Sequence, residues 1–95
     1  WIVTPEEFDV RKPWKIQSRI NGELRQNSTT ELMIFHVPYV IAELSQGMTL
    51  RPGTIISMGT PAGVGMGFDP PKWLHPGDEV ACSIEGIGTL TNTVR

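Results

Sequence analysis

Along "WKIQSRINGELRQN" the side chains alternate, with Trp14, Ile16 and Ser18 on one face and Lys15, Gln17 and Arg19 on the other, the period-two pattern of a half-buried strand. Asn21-Gly22 interrupts it with the pair best suited to a two-residue turn, so a hairpin is expected with strands at about 14 to 20 and 23 to 27. In "STTELMIFHVPYVIAELSQGMTL" the spacing changes: Leu32, Phe35, Tyr39, Ile41 and Leu44 approximate one helical stripe, Thr29 or Thr30 offers a cap, and Gly47 supplies a stop. Pro38 lacks the amide hydrogen that a helix interior needs and should break this element in two. Upstream, "WIVTPEEF" reads as a strand end passing into a short helical turn, with Thr4 as cap, Pro5 at the first helical position and Glu7 three residues after the cap. Downstream, "LRPGT" ahead of "IISM" and "LHPGD" ahead of "EVACSI" repeat one device, a Pro-Gly tight turn feeding an apolar strand. "EVACSIEGIGTLTNTV" adds two strands, at about 79 to 84 and 88 to 94, around Glu85-Gly86. The fold class expected is mainly β with one broken helix (α+β), with no linker or low-complexity tract dividing it.

Ninety-five residues make one small domain at most, near the size where buried area only just offsets chain entropy. Eight basic and ten acidic side chains leave a formal net charge of -2, with no basic cluster beyond pairs such as Arg11-Lys12, which argues against a nucleic-acid partner. The single cysteine, Cys82, has no internal partner for a disulfide, and no apolar span is long enough to cross a membrane. On these features the chain is expected to be soluble and cytoplasmic, with no membrane partner. The chain starts at Trp1 rather than Met, already in strand-like sequence, and is expected to be a piece of something longer.

Candidate chemistry is sparse. "GTPAGVGMG" is rich in glycine, but a phosphate cradle needs its loop to open a helix, and here it runs into "FDPPKW". The alternatives are a loop whose missing side chains admit a small ligand to Thr60 and the backbone, or a rigid connection between strands. His36 and His75 stand apart at no ligand spacing, and read as structural. Glu6, Glu7 and Asp9 read as a capping cluster. Cys82 reads as a small buried hydrophobe on a strand, and Trp14, Phe35, Tyr39 and Trp73 as core or interface aromatics. No nucleophile, base and orienter can be assembled from these residues, so no catalytic residue and no metal ligand is assigned.

Taken in order, "WIVTPEE", "RINGELRQNSTTELMIF", "LSQGMTLRPGTIISMGTPAGVG" and "WLHPGDEVACSIEGIGTLTNTV" resemble the C-terminal half of the fumarylacetoacetate hydrolase family catalytic domain. The resemblance covers essentially the whole chain. It implies part of a mixed, rolled β-sandwich, a homodimer, and an enzyme that hydrolyses, decarboxylates or isomerises small 2-oxo or β-diketo acids, some from aromatic catabolism. It also implies Mg2+ or Mn2+ as cofactor, acting as a Lewis acid on a bound keto acid. That family's Glu-x-Glu pair, its Asp, its lysine near the metal and its His-Glu lid pair all precede the region matched. Residues 1–95 would then be the C-terminal part of a single catalytic domain, without the metal-binding part. Only the loop carries over: Thr60 would hydrogen-bond the substrate's carboxylate or oxo oxygen, with Gly59 and Pro61 shaping the wall. The other reading of the same fold is a catalytically inactive binding or oligomerisation module.

Overall fold

The computed structural model of the chain describes residues 2–95. Four strands, β1 (Lys15–Ile20), β2 (Glu23–Thr29), β3 (Glu79–Ile84) and β4 (Gly88–Thr93), form one antiparallel sheet in the order β2-β1-β3-β4. One helix, α1 (Val37–Gly47), and two short 3-10 turns, Thr30–Leu32 and Gly65–Gly67, lie in the long segment between β2 and β3. The fold is thus mainly β with one helix, as the hydrophobic pattern predicts.

The expected hairpin forms at the expected turn: Asn21 has φ 50° and Gly22 φ 80°, the paired positive values that match the right-handed twist of the flanking strands. Its turn also anchors the return of the chain. Asn21 donates its backbone N–H to the Glu79 carbonyl at 2.9 Å, accepts from the Glu79 N–H at Oδ1, and donates from Nδ2 to Asp78 Oδ1, the last two at 2.8 Å. Asp78 Oδ2 in turn accepts from the His75 N–H at 2.8 Å, closing the Pro76-Gly77 turn that launches β3. These bonds hold the Asp78 carboxyl below the usual carboxylate range, the Asn21 amide contributing most.

Several expectations need correction. Pro38 does not interrupt a helix. It occupies the first turn of α1, where its missing N–H costs nothing, and the preceding helical piece is only the turn at Thr30–Leu32, capped by Thr29. Gly47 is the last residue of α1, with Met48 after it as C-cap. "IISM" is no strand: residues 55–64 carry no regular secondary structure, and Ile55 is 94% exposed. An apolar run becomes a strand only when a sheet edge pairs with it, and neither edge of this sheet pairs with residues 55–58. Residues 2–4 are not a strand either, while the turn after them forms as expected; Trp1, the start of that expected strand, lies outside the described residues.

None of the described residues is buried. A closed monomer of this mass exposes about 5,400 Å², whereas this chain exposes 7688 Å². Register and alternation place Ile16, Ile20, Val80, Ile84 and Leu90 on one face of the sheet together with Ser18 and Cys82. Nothing in the described chain covers that face fully, so Cys82 is exposed rather than buried. For the same reason Phe35 and Tyr39, stacked at 5.2 Å, and Trp73 are each more than half exposed. Trp14 is better sheltered, stacked on Phe8 at 4.4 Å with its indole N–H donated to the Asp9 carbonyl.

The Gly-rich segment docks on β2. A β-bulge opposite Ser18 and Arg19 leaves Arg25 without a partner in the ladder, and a Cβ on Gly63 would collide with the Arg25 carbonyl oxygen. The Arg25 guanidinium and the Lys72 ammonium lie over the Phe68 ring, at 5.4 and 4.7 Å from its centroid, and Lys72 bonds Glu23 at 2.7 Å.

Gly63→Ala should therefore destabilise the intact protein by about 3 kcal/mol or more, since it adds a backbone clash to an unfavourable φ. Gly53→Ala, at a similar φ but with open space around it, should cost only about 1–2 kcal/mol; chemical denaturation of the two variants compares them. A second expectation concerns acid. Because the folded Asp78 carboxyl titrates below its unfolded value, its contribution is present at neutral pH and is lost as pH falls below about 4 through the folded value. Asp78→Asn should thus lower the melting temperature at pH 7 and flatten the loss of stability on acidification, checked by melting curves from pH 2 to 7.

Candidate functional site

The loop Gly59-Thr60-Pro61, the cross-strand pair Ser18 and Gln26, and the apolar side chains Ile84 and Leu90 form the wall of a pocket of about 410 Å³. The pocket lies on the apolar face of the sheet, and the loop stands at its β2 side. Gly59 has φ 90°, and a Cβ there would meet nothing within 4 Å, so this glycine turns the chain into the pocket without itself being packed. Gly63 is packed, and Gly65 as well, against the Lys72 carbonyl. The bareness of the loop thus serves two ends: close docking on the protein's own backbone at Gly63 and Gly65, and an open wall at Gly59.

The polar geometry of Thr60 follows from Gln26. The Gln26 Nε2 stands 2.8 Å from the Pro61 carbonyl oxygen, which can only accept, so the nitrogen and not the oxygen of the amide must face the loop. The other hydrogen of that NH2 goes to Thr60 Oγ1 at 2.7 Å. On the far side of the amide, Oε1 accepts from the Ser18 hydroxyl at 2.9 Å. Thr60 Oγ1 is therefore an acceptor toward Gln26, and its own hydrogen has no acceptor among the described residues. The site can offer that hydrogen to an oxygen of a small ligand, with Ile16, Ile84 and Leu90 beside it to take an apolar part.

Of the residues singled out from sequence, Gly59, Thr60 and Pro61 come together at this pocket. The histidines do not. His36 sits at the N-cap position of α1 and borders a separate pocket of about 300 Å³ with Arg11 and Glu31, and His75 lies in the turn before β3, its Nδ1 3.8 Å from Asp78 Oδ2. The acidic cluster behaves as a cap: Glu7 Oε2 accepts from the Thr4 N–H at 3.1 Å, and Asp9 pairs with Arg11 at 3.0 Å. Ser18 and Gln26 also line the pocket, and the sequence pattern did not single them out. Among the described residues no group of three or more His, Cys, Asp or Glu side chains could hold a metal ion. The residues present do not by themselves fit a Mg2+ or Mn2+ site. No described helix is long and apolar enough to cross a membrane.

The Gly-Thr-Pro loop and one face of a four-stranded antiparallel sheet thus bound a single pocket. The sequence signature described as "Fumarylacetoacetate (FAA) hydrolase C-terminal" matches residues 1–95, and the chain belongs to the fumarylacetoacetate hydrolase family. It is 52% identical over 80 residues to oxaloacetate tautomerase YisK of Bacillus subtilis (strain 168), an alignment covering 84% of this chain and 27% of that protein. Among solved structures it superposes on a fumarylacetoacetate hydrolase from psychrophilic Exiguobacterium antarcticum with a TM-score of 0.93 and 48% identity, over 98% of this chain and 33% of that one. It also matches a maleylpyruvate hydrolase from Sphingobium sp. SYK-6, solved in complex with manganese (II) ion and pyruvate, with a TM-score of 0.85 and 32% identity over 98% of this chain and 33% of that one. The chain spans about a third or less of the length of these relatives.

Proposed function

We propose that the chain is the C-terminal part of a single catalytic domain in a divalent-metal-dependent enzyme that cleaves or rearranges small 2-oxo or β-diketo acids, and that its Gly59-Thr60-Pro61 loop touches the substrate. The observation that carries the reading is the Thr60 hydroxyl, whose acceptor side is taken by Gln26 and whose hydrogen is left for a pocket on the sheet face. Thr60 donates to a carboxylate or oxo oxygen of the substrate, while Ile16, Ile84 and Leu90 line the face against its carbon skeleton. Hydrolysis, decarboxylation and isomerisation all begin from a keto acid held in this way, and a tautomerase and hydrolases stand among the chain's relatives.

Three facts support placing the remainder of the domain in preceding sequence: the relatives are about three times as long, no described residue here is buried, and the matched family signature is described as C-terminal. The cofactor is Mg2+ or Mn2+, with its ligands in that preceding part; the manganese complex of the Sphingobium relative supports this. The protein is a cytoplasmic homodimer, for which the exposed Phe35–Tyr39 stack offers apolar surface. The absence of a metal-capable cluster among the described residues favours a second reading, an inactive binding or oligomerisation module. A Glu-x-Glu and a downstream Asp in the preceding sequence would exclude it.

Thr60→Val in the full-length protein keeps the side-chain shape and removes one donor to an anionic oxygen. A hydrogen bond to a charged group is worth about 1.5–3 kcal/mol, so kcat/KM on oxaloacetate, an acylpyruvate or a muconate-type keto acid should fall by about one to two orders of magnitude. Unchanged kcat/KM in the folded variant on a substrate the parent turns over would remove the loop from the site. The isolated 95-residue chain should show no turnover of the same substrates with added Mg2+ or Mn2+; robust metal-dependent activity would overturn the division of the domain.

A further inference from the structure

We propose that Gln26 is a positioning residue that orients Thr60, turning its hydroxyl hydrogen away from the amide and into the pocket, where it favours an acceptor oxygen of the ligand. The inference rests on the reading that Thr60 faces substrate. A threonine hydroxyl is otherwise ambivalent, since it can donate or accept and rotates to suit its neighbour. Here the choice is made two bonds away. The Pro61 carbonyl accepts only, which turns the Gln26 nitrogen toward the loop at 2.8 Å, and the same nitrogen reaches Thr60 Oγ1 at 2.7 Å. Ser18 donates to Gln26 Oε1 at 2.9 Å and holds the amide from the other side. A flipped amide would set its carbonyl oxygen against the Pro61 oxygen and its NH2 against Ser18, with two acceptors facing each other at the loop. The hydrogen of Thr60 is thereby directed away from Gln26. An ionised carboxylate or enolate oxygen placed there accepts it as a charge-assisted hydrogen bond.

Gln26→Glu tests this because its two protonation states reproduce opposite patterns. A protonated carboxyl can still donate to the loop and accept from Ser18. An ionised one accepts from both, draws the Thr60 hydrogen toward itself and leaves only a lone pair facing the substrate. In the full-length protein, the ratio of unsubstituted to Gln26→Glu kcat/KM on a keto acid that the unsubstituted protein turns over should be near one at pH values below the titration of the introduced carboxyl, about 4.3 when unperturbed. It should rise by roughly tenfold per pH unit above the titration of the introduced carboxyl, and level near 100-fold. Arg25 on the same strand and Cys82 across the pocket are common to both proteins. Simple repulsion of an anionic substrate by the new charge is separated by repeating the measurement in the Thr60→Val background, where there is no hydroxyl to orient. There the penalty at pH 8 should shrink to about tenfold or less. An equal penalty in both backgrounds, or a ratio that does not change with pH, overturns the positioning role while leaving Thr60 as a contact. A Thr60→Val protein with full activity overturns the contact itself and this inference with it. If Gln26→Glu does not fold, Gln26→Met carries the same cycle: a loss of activity with Thr60 present and none in the Thr60→Val background is expected, and equal losses overturn the proposal.

Discussion

Everything at the pocket depends on one close approach, that of the Gly-rich segment to the edge of β2. Gly63 lies where any side chain would strike the Arg25 carbonyl, and this contact sets how near residues 59–61 can come to the strand. Only at that distance can the Gln26 amide reach both Pro61 and Thr60. The residues around Gln26 reinforce the approach from the same strand, Arg25 over Phe68 and Glu23 on Lys72. The site is therefore built by an edge strand that gives its backbone to sterics and its side chains to orientation.

That dependence explains what could and could not be seen in the sequence. The hairpin was legible because Asn21-Gly22 settles it locally, through backbone conformations few other residues adopt. The Pro76-Gly77 turn and β3 were legible for the same kind of reason, and the resemblance to a family brought Thr60, Gly59 and Pro61 forward as a group. Gln26 was hidden. A regular ladder continuing from the Ile20–Glu23 and Arg19–Leu24 pairs would set Ser18 against Arg25, whereas the bulge sets it against Gln26. A one-residue irregularity leaves no compositional trace, yet it decides which side chain faces the loop. The failed strand at 55–58 and the exposed Cys82 have another origin. Both were inferred from apolar character, which fixes what a residue prefers to touch and not whether a partner is there to touch it.

The glycines divide along the same line. Composition alone presents "GTPAGVG" as one bare loop, and a bare loop invites a ligand. In the structure the second half of the stretch is bare because the chain packs on itself, and only Gly59 borders open space. Glycine content is thus weak evidence for a binding loop unless the direction of each missing side chain is known. Thr60, whose hydroxyl hydrogen is left over on the open half of the loop, is what carries the proposed substrate contact.

The value of that hydrogen depends in turn on what lies opposite. The excess of exposed surface over a closed monomer of this mass is about 2,300 Å², the scale of an obligate interface. The pocket opens on that uncovered face. While it stays open, water competes for the Thr60 hydrogen and screens any charge brought to it, and a single donor contributes little. Covering the face would remove the competing water and lower the local dielectric. The same hydroxyl, already fixed in direction by Gln26, would then act on a ligand at its full strength without further reorganisation. An orientation device of this kind gains its effect from enclosure. The fixed Ser18–Gln26–Thr60 chain and the exposed apolar face therefore belong to one design: the strand supplies direction in advance, and closure of the face supplies the energy.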